Sequence, residues 1–285
     1  MVKALVLRGA GVGALAGLLA FVFARIFAEP VIQAAIDYES ARDDAKNALA
    51  VAAGQAPETA DPEIFSRAVQ GNIGIGVGMV FFGVAIGLLY ATAYSMAYGR
   101  TGEIRPRQLA LLVAAGGFLT FFLVPFVKYP ANPPSIGNPD TIGPRSGLYL
   151  VMVVTSVVVL LLAVWLGQRL QARLGTWNAA LLAGLAFVVV TGVVMALLPA
   201  LGELSANAQT TPAGVFTETP QPLTTATGAI AFPGFDPDLL YRFRLYSVIA
   251  QVILWGALGL GFAPLADRVF GAHGRPSQKD MATIS

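Results

Sequence analysis

KYPANPPSIGNPDTIGPR, Lys128–Arg145, stands between two long apolar runs, 109–127 and 148–166, and has the character of neither. Pro130, Pro133, Pro134, Pro139 and Pro144 each fix φ and remove a backbone donor, so no regular helix or central strand is expected here. Gly137 and Gly143 permit the left-handed turns that such a path needs. A segment this stiff can hold Lys128, Tyr129, Asn132, Asn138, Asp140 and Arg145 in fixed places. It equally suits a plain solvent-exposed connection kept short by prolines. The surrounding chain has to decide between the two.

Those surroundings are the surroundings of a membrane protein. Of the 285 residues, 56% are hydrophobic and 12% charged, where a soluble domain carries roughly 25% charged residues. Too little polar material is left to build a water-facing surface. There is no cysteine, which excludes disulfides, thiolate metal sites and thiol catalysis. The single histidine, His273, excludes a multi-histidine metal cage within the chain.

A bilayer core takes ~20 helical residues to cross. Runs of about that length lie at 4–27, 73–96, 109–127, 148–166, 179–198 and 245–262. The expected fold class is therefore an all-α membrane protein with about six transmembrane helices. The first run exceeds a secretory h-region and no clear cleavage site precedes Glu29, so it is expected to remain as a helix. Gly9, Gly13 and Gly17 share one face of it and let a neighbouring helix approach. Gly74, Gly76, Gly78, Gly83 and Gly87 leave one side of the second run almost bare, for tight packing or a backbone-lined passage. Tyr90, Tyr94 and Tyr98 end that run as interfacial aromatics would.

Two further connections are long. Residues 31–53 have helical composition, 56–61 break it, and Asp61-Pro62-Glu63 reads as the cap and first turn of a new helix. Residues 200–238 are rich in Thr, Pro, Ala and Gly, with a middle, 205–229, expected to be flexible. The chain then tightens into FPGFDPDLLYRFR, Phe232–Arg244. The organisation expected is one transmembrane domain over 1–265, with outer loops 29–72, 128–147 and 200–244, and a disordered tail, 266–285, that carries His273.

Charge assigns the sides. Lys3, Arg8, Arg100, Arg105, Arg107, Arg169, Arg173, Arg268, Arg275 and Lys279 fall at the termini and short turns, against Glu103, Asp267 and Asp280. By the positive-inside bias both termini face the cytoplasm, and the long loops and the proline-rich stretch face outward.

Little inside the runs can titrate. No Asp, Glu, Lys or His lies mid-run, and the polar groups at depth are Thr120, Thr155, Ser156, Thr191 and Gln251. Ion pathways and proton relays usually carry ionisable residues there. The outer side differs. Arg67, Arg145, Arg242 and Arg244 stand near helix starts, and Asp140, Asp236 and Asp238 lie close to some of them in sequence. Arg–carboxylate pairs could pin the loops to helix ends. Alternatively, carboxylate and amide oxygens could capture a hydrated divalent cation, which takes oxygen ligands. No P-loop, dinucleotide fingerprint or nucleophile–base arrangement is present, so no enzyme is expected, and no nucleic-acid binding either.

Three stretches carry a family resemblance: KYPANPPSIGNPDTI at Lys128–Ile142, ARIFAEP at Ala24–Pro30 closing a glycine-rich first run, and FDPDLLYRFRLYSVIAQVILW at Phe235–Trp255. Across essentially its whole length the chain resembles the CbtA-type membrane subunit of cobalt transporters. The resemblance implies a multi-pass protein of the bacterial inner membrane, engaged in metal uptake that serves cobalamin synthesis. It also implies a small single-span partner of the CbtB type, whose histidine-rich motif would bring the imidazoles this chain lacks. The family is often described with five spans, against the six counted here. No catalytic residue is carried over and no cofactor is expected, since cobalt would be cargo.

The reading that results is a transition-metal uptake subunit that captures its ion at the outer loops and passes it through the helix bundle. Asp140 with Asn132 and Asn138 are the first candidate ligands, then Asp236 and Asp238, with Arg67, Arg145, Arg242 and Arg244 as a structural outer network. The competing class is a non-transporting accessory or structural subunit, favoured by the lack of ionisable groups within the runs.

Overall fold

The computed structural model describes residues 2–57, 66–102, 104–207, 215 and 217–270. Apolar runs in lipid have to satisfy their backbone polar groups internally, which leaves the helix as the available form for single segments. Helix α1 (Val2–Phe23) passes through a π-helical turn, Ala24–Ala28, into α2 (Glu29–Ala52). A short α3 (Arg67–Val69) and a second π turn, Gln70–Gly74, lead into α4 (Ile75–Ala97). Helix α5 (Pro106–Gly117) continues through a third, Phe118–Leu123, into α6 (Val124–Lys128). A 3-10 turn, Pro139–Thr141, opens α7 (Ile142–Leu197), and α8 (Pro237–Phe270) closes the described chain. Between them, β1 (Leu223–Thr224) pairs antiparallel with β2 (Ile230–Phe232). Five continuous helical segments are long and apolar enough to cross a membrane: Val2–Ala52, Arg67–Ala97, Pro106–Lys128, Pro139–Glu203 and Pro237–Val269.

The fourth of these combines two of the expected runs. A straight helix as long as α7 would reach about 84 Å, far beyond a hydrocarbon core of ~30 Å. Gly175 breaks it: φ 74° and ψ 166° lie outside the helical region and suit a residue without Cβ. The arms then fold back on each other. A Cβ on Gly167 would lie 3.4 Å from the Cβ of Ala183, although 16 residues separate them in sequence.

The chain divides into two compact units, one of Met1–Ile26, Phe65–Phe118 and Ile249–Ser285, the other of Phe27–Ile64 and Leu119–Val248. In the first unit α1 and α4 touch backbone to backbone. A Cβ on Gly13 would fall on the carbonyl of Gly83, one on Gly87 on the carbonyl of Gly9, and one on Gly17 on that of Met79. The glycine faces therefore serve close packing, with Gly78 outside it facing open space. Tyr90 and Tyr94, expected as interfacial aromatics, are buried within the unit, edge-on to Phe262 at 5.1 and 5.2 Å. They can be buried because their hydroxyls find backbone acceptors: Tyr90 donates to the Ala110 carbonyl at 2.7 Å and Tyr94 to that of Pro106 at 3.2 Å.

In the second unit a small core joins Ala35 of α2, Ile136 of the proline-rich stretch and Phe235 before α8. Tyr38 extends it, with ring centroids 5.4 Å from Phe232 and 5.0 Å from Phe235. Its hydroxyl donates to the Pro233 carbonyl at 3.0 Å, and Arg42 on the next turn donates to that of Gln221 at 2.7 Å.

Two expectations need correcting here. Helix α7 starts at Ile142, inside the stretch expected to hold no helix. Pro144 sits in its first turn, where a missing N–H removes no hydrogen bond. Residues 205–229, expected to be flexible, contain β1 and two buried polar side chains, Asn207 and Glu218. The helix start at Asp61-Pro62-Glu63 and the tail residue His273 lie outside the described residues, while Ala266–Phe270 of the expected tail complete α8.

Candidate functional site

The proline-rich stretch is braced at its start, at Ala131 and Asn132, and at Asn138. Prolines take donors away and the extended path keeps carbonyls out of helical bonds, so the segment has acceptors to satisfy and few donors of its own. At its start the donors point outward. Lys128 Nζ donates to the Leu198 carbonyl at 2.8 Å, and the Tyr129 hydroxyl to that of Pro199 at 2.9 Å. These bonds serve the C-terminal end of α7, where helix carbonyls lack partners. Burial raises the Tyr129 hydroxyl above its ordinary pKa, so it stays a neutral donor.

Arg244 of α8 supplies the next donors. Its Nε reaches the Ala131 carbonyl at 3.2 Å and its Nη2 the Asn132 Oδ1 at 3.0 Å. The chain then turns at Ser135 (φ 67°) and inserts Ile136 into its core. At Gly137 (φ 136°) a Cβ would come within 2.8 Å of Arg145 Nη1, so both the backbone angle and the guanidinium require glycine. Asn138 works in two directions. Its Oδ1 accepts from the Asp140 N–H at 3.0 Å, and its Nδ2 donates to Asn207 Oδ1 at 2.8 Å and to the Ala206 carbonyl at 3.3 Å.

Behind Asn207 stands Glu218, whose side chain has 0% exposure. Its Oε2 accepts from Arg145 Nη1 at 3.0 Å and its Oε1 from Asn207 Nδ2 at 2.8 Å. Asn207 also donates to the Leu201 carbonyl at 2.7 Å. A carboxylate stripped of water costs several kcal/mol unless both its partner and its remaining lone pairs are served; Arg145 and Asn207 do this. One polar chain thus runs from Arg145 through Glu218 and Asn207 to Asn138 and the start of α7.

Sequence reasoning missed both Glu218 and Asn207. A signal was available: Glu218 is the single acid between Glu203 and Asp236, in a segment that otherwise offers nothing to balance Arg145.

The expected ligands divide into two groups. Asn132 and Asn138 each spend an amide oxygen on a donor within this framework. Asp140, Asp236 and Asp238 are exposed, and Asp236 Oδ1 accepts from the Asp238 N–H at 2.9 Å, capping α8. Of the expected arginine network, Arg145 alone is shown pairing with a carboxylate, Glu218, while Arg244 serves a carbonyl and an amide instead. Arg242 is exposed, with no carboxylate partner among the described residues. Arg67 opens α3 in the other unit. Among the described residues no three His, Asp or Glu side chains come together in a group that could hold a metal ion. What the arrangement offers is a braced loop platform with exposed carboxylates at its surface.

Neither a curated relative nor a solved structure matches the chain. The family model described as probable cobalt transporter subunit (CbtA) matches residues 2–267, which include the proline-rich stretch, both of its arginine braces, four of the five long apolar helices and all but the last two residues of the fifth, and the chain belongs to that family.

Proposed function

We propose that this chain is the membrane-embedded subunit of a cobalt uptake system in a bacterial inner membrane, with the loop platform outside and both termini in the cytoplasm. The observation that carries the proposal is the bracing of the proline-rich stretch by Arg244 and Glu218 while Asp140 stays exposed beside it. A rigid backbone with a free carboxylate can gather a hydrated divalent cation without refolding. On this reading the two arms on either side of the break at Gly175 each make their own crossing, for six in all; the non-helical backbone at Gly175 supports it. Arg169 and Arg173 immediately precede that break, and by this count of crossings they belong to the same side as Arg100, Arg105 and Arg107, as the positive-inside bias requires.

Capture is shared with a partner. Single carboxylates on an exposed surface hold a divalent ion weakly, and cobalt accepts imidazole readily. A small single-span subunit of the CbtB type, rich in histidine, would supply it, and the family's description as a subunit is consistent with such an assembly. The test is initial-rate cobalt uptake into proteoliposomes holding this chain alone, then with the small subunit. Uptake should require this chain and rise with the partner. No uptake under either condition would leave the chain an accessory subunit. Orientation is tested separately: Ser135→Cys should be labelled from outside and Ser277→Cys from the cytoplasm, and the reverse pattern overturns the topology.

A further inference from the structure

Where the glycine contacts between α1 and α4 end, a cleft of about 350 Å³ opens between the two helices. Leu18 and Phe21 of α1 and Ile73, Val77 and Phe81 line it, with Asn72 at one end. Its width depends on Gly76, where a Cβ would lie 3.1 Å from the Phe21 ring. Ile73, Val77 and Phe81 are 63%, 51% and 70% exposed, so the lining is apolar and uncovered by the described residues. The Asn72 end is polar and fully organised. Asn72 Nδ2 donates to the Ala68 carbonyl at 2.7 Å, and its Oδ1 accepts from Arg25 Nε at 2.8 Å. That single bond fixes the guanidinium and leaves both Nη groups without a partner among the described residues.

We propose that this cleft is a phospholipid site, with one acyl chain along the Val77 and Phe81 wall and the phosphate on the two free Nη groups of Arg25. Three features favour this occupant. Arg25 lies at the end of the apolar run, the depth at which phosphates sit in a bilayer. Its open pair of N–H donors matches two phosphate oxygens. A partner helix with its side chains is 10–12 Å across, too thick for a cleft of this volume, whereas an unbranched chain enters it. A positive end with no carboxylate paired to Arg25 among the described residues also favours anionic headgroups over zwitterionic ones.

The test is native mass spectrometry of the full chain in detergent, titrated with phosphatidylglycerol or phosphatidylcholine. Wild type should retain the anionic lipid preferentially. Arg25→Gln should weaken that retention roughly tenfold, the effect of a charge-assisted hydrogen bond, and abolish the headgroup preference. Val77→Trp, at a half-exposed position, should plug the cleft and reduce retention of both lipids; Ile73→Trp serves the same purpose if the first variant melts early. Glycerol phosphate, which has the headgroup chemistry but no chain, should not compete. Unchanged lipid retention in Arg25→Gln overturns the proposal, as does full competition by glycerol phosphate. So does a co-purified single-span subunit that Val77→Trp displaces and Arg25→Gln does not.

Discussion

The α1–α4 contact and the loop platform around Lys128–Arg145 solve the same problem by opposite means. Between α1 and α4 the chain removes side chains until carbonyls and Cα atoms meet, and no polar side chain is required. Around the proline-rich stretch it adds side chains, each spent on a particular orphaned group: Arg244 on Ala131 and Asn132, Asn138 on the turn into α7, Glu218 on Arg145. In lipid, two helices gain little from hiding apolar surface and associate through close packing. An irregular loop instead gains most from hydrogen bonds that replace water. The helix pair should therefore be sensitive to volume and the platform to charge.

The largest effect follows from that contrast. Gly13→Leu should prevent α1 and α4 from closing, whereas Gly78→Leu, facing open space, should be tolerated. Overpacking costs about 1–3 kcal/mol where neighbours can yield, and a carbonyl within a helix cannot. Thermal unfolding in detergent compares the two. Equal melting temperatures would remove the distinction between the faces.

Next comes Glu218→Gln, which keeps the shape and leaves the Arg145 guanidinium, 28% exposed, without its counter-charge. Breaking such a pair costs roughly 3 kcal/mol. The double variant Arg145→Met with Glu218→Leu should recover part of that loss, because an apolar pair needs no solvation. If the double variant is less stable than Glu218→Gln, the pair contributes net stability beyond mutual compensation.

The two regions also differ in how far the sequence discloses them. Gly9, Gly13 and Gly17 announce a close contact locally, because a spacing of four repeats one helix face. Gly175 is just as legible, since the short connection between Arg173 and Ala179 needs a residue that can leave the helix. Glu218 is legible only by elimination, as the single acid between Glu203 and Asp236. Its burial depends on Arg145, 73 residues away, and on Asn207, and the Thr- and Pro-rich segment carries no local spacing that says it is held. Tyr90 and Tyr94 fail for the same reason: the i, i+4 spacing gives the face but not whether lipid headgroups or Phe262 lie against it.

A smaller effect is expected from Arg244→Ala, which removes two hydrogen bonds to neutral acceptors. It should cost about 1–2 kcal/mol, less than a fully buried charged pair because Arg244 is only half-buried. Arg173→Ala at the exposed Gly175 turn should shift the melting temperature less. Equal shifts would mean that the brace on Ala131 and Asn132 adds nothing to stability.

The smallest stability change belongs to Asp140→Asn, and it separates transport from architecture. Asp140 contributes its backbone N–H to the Asn138 cap, and the substitution leaves that bond in place. The side chain is exposed, and Arg145 already has its carboxylate in Glu218, so removing the Asp140 charge orphans no guanidinium. An exposed substitution of this kind shifts stability by under about 0.5 kcal/mol. If the platform gathers cations, initial-rate cobalt uptake should fall most at low cobalt, where capture limits the rate, and recover at high cobalt. Glu218→Gln should instead lower uptake and melting temperature together, because it loosens the platform itself. Unchanged uptake by well-folded Asp140→Asn at every concentration would take this residue out of the capture site and move the role to Asp236 and Asp238. Those two carboxylates are equally exposed but sit on the cap of α8, and charge removal at Asp238 tests them by the same concentration series.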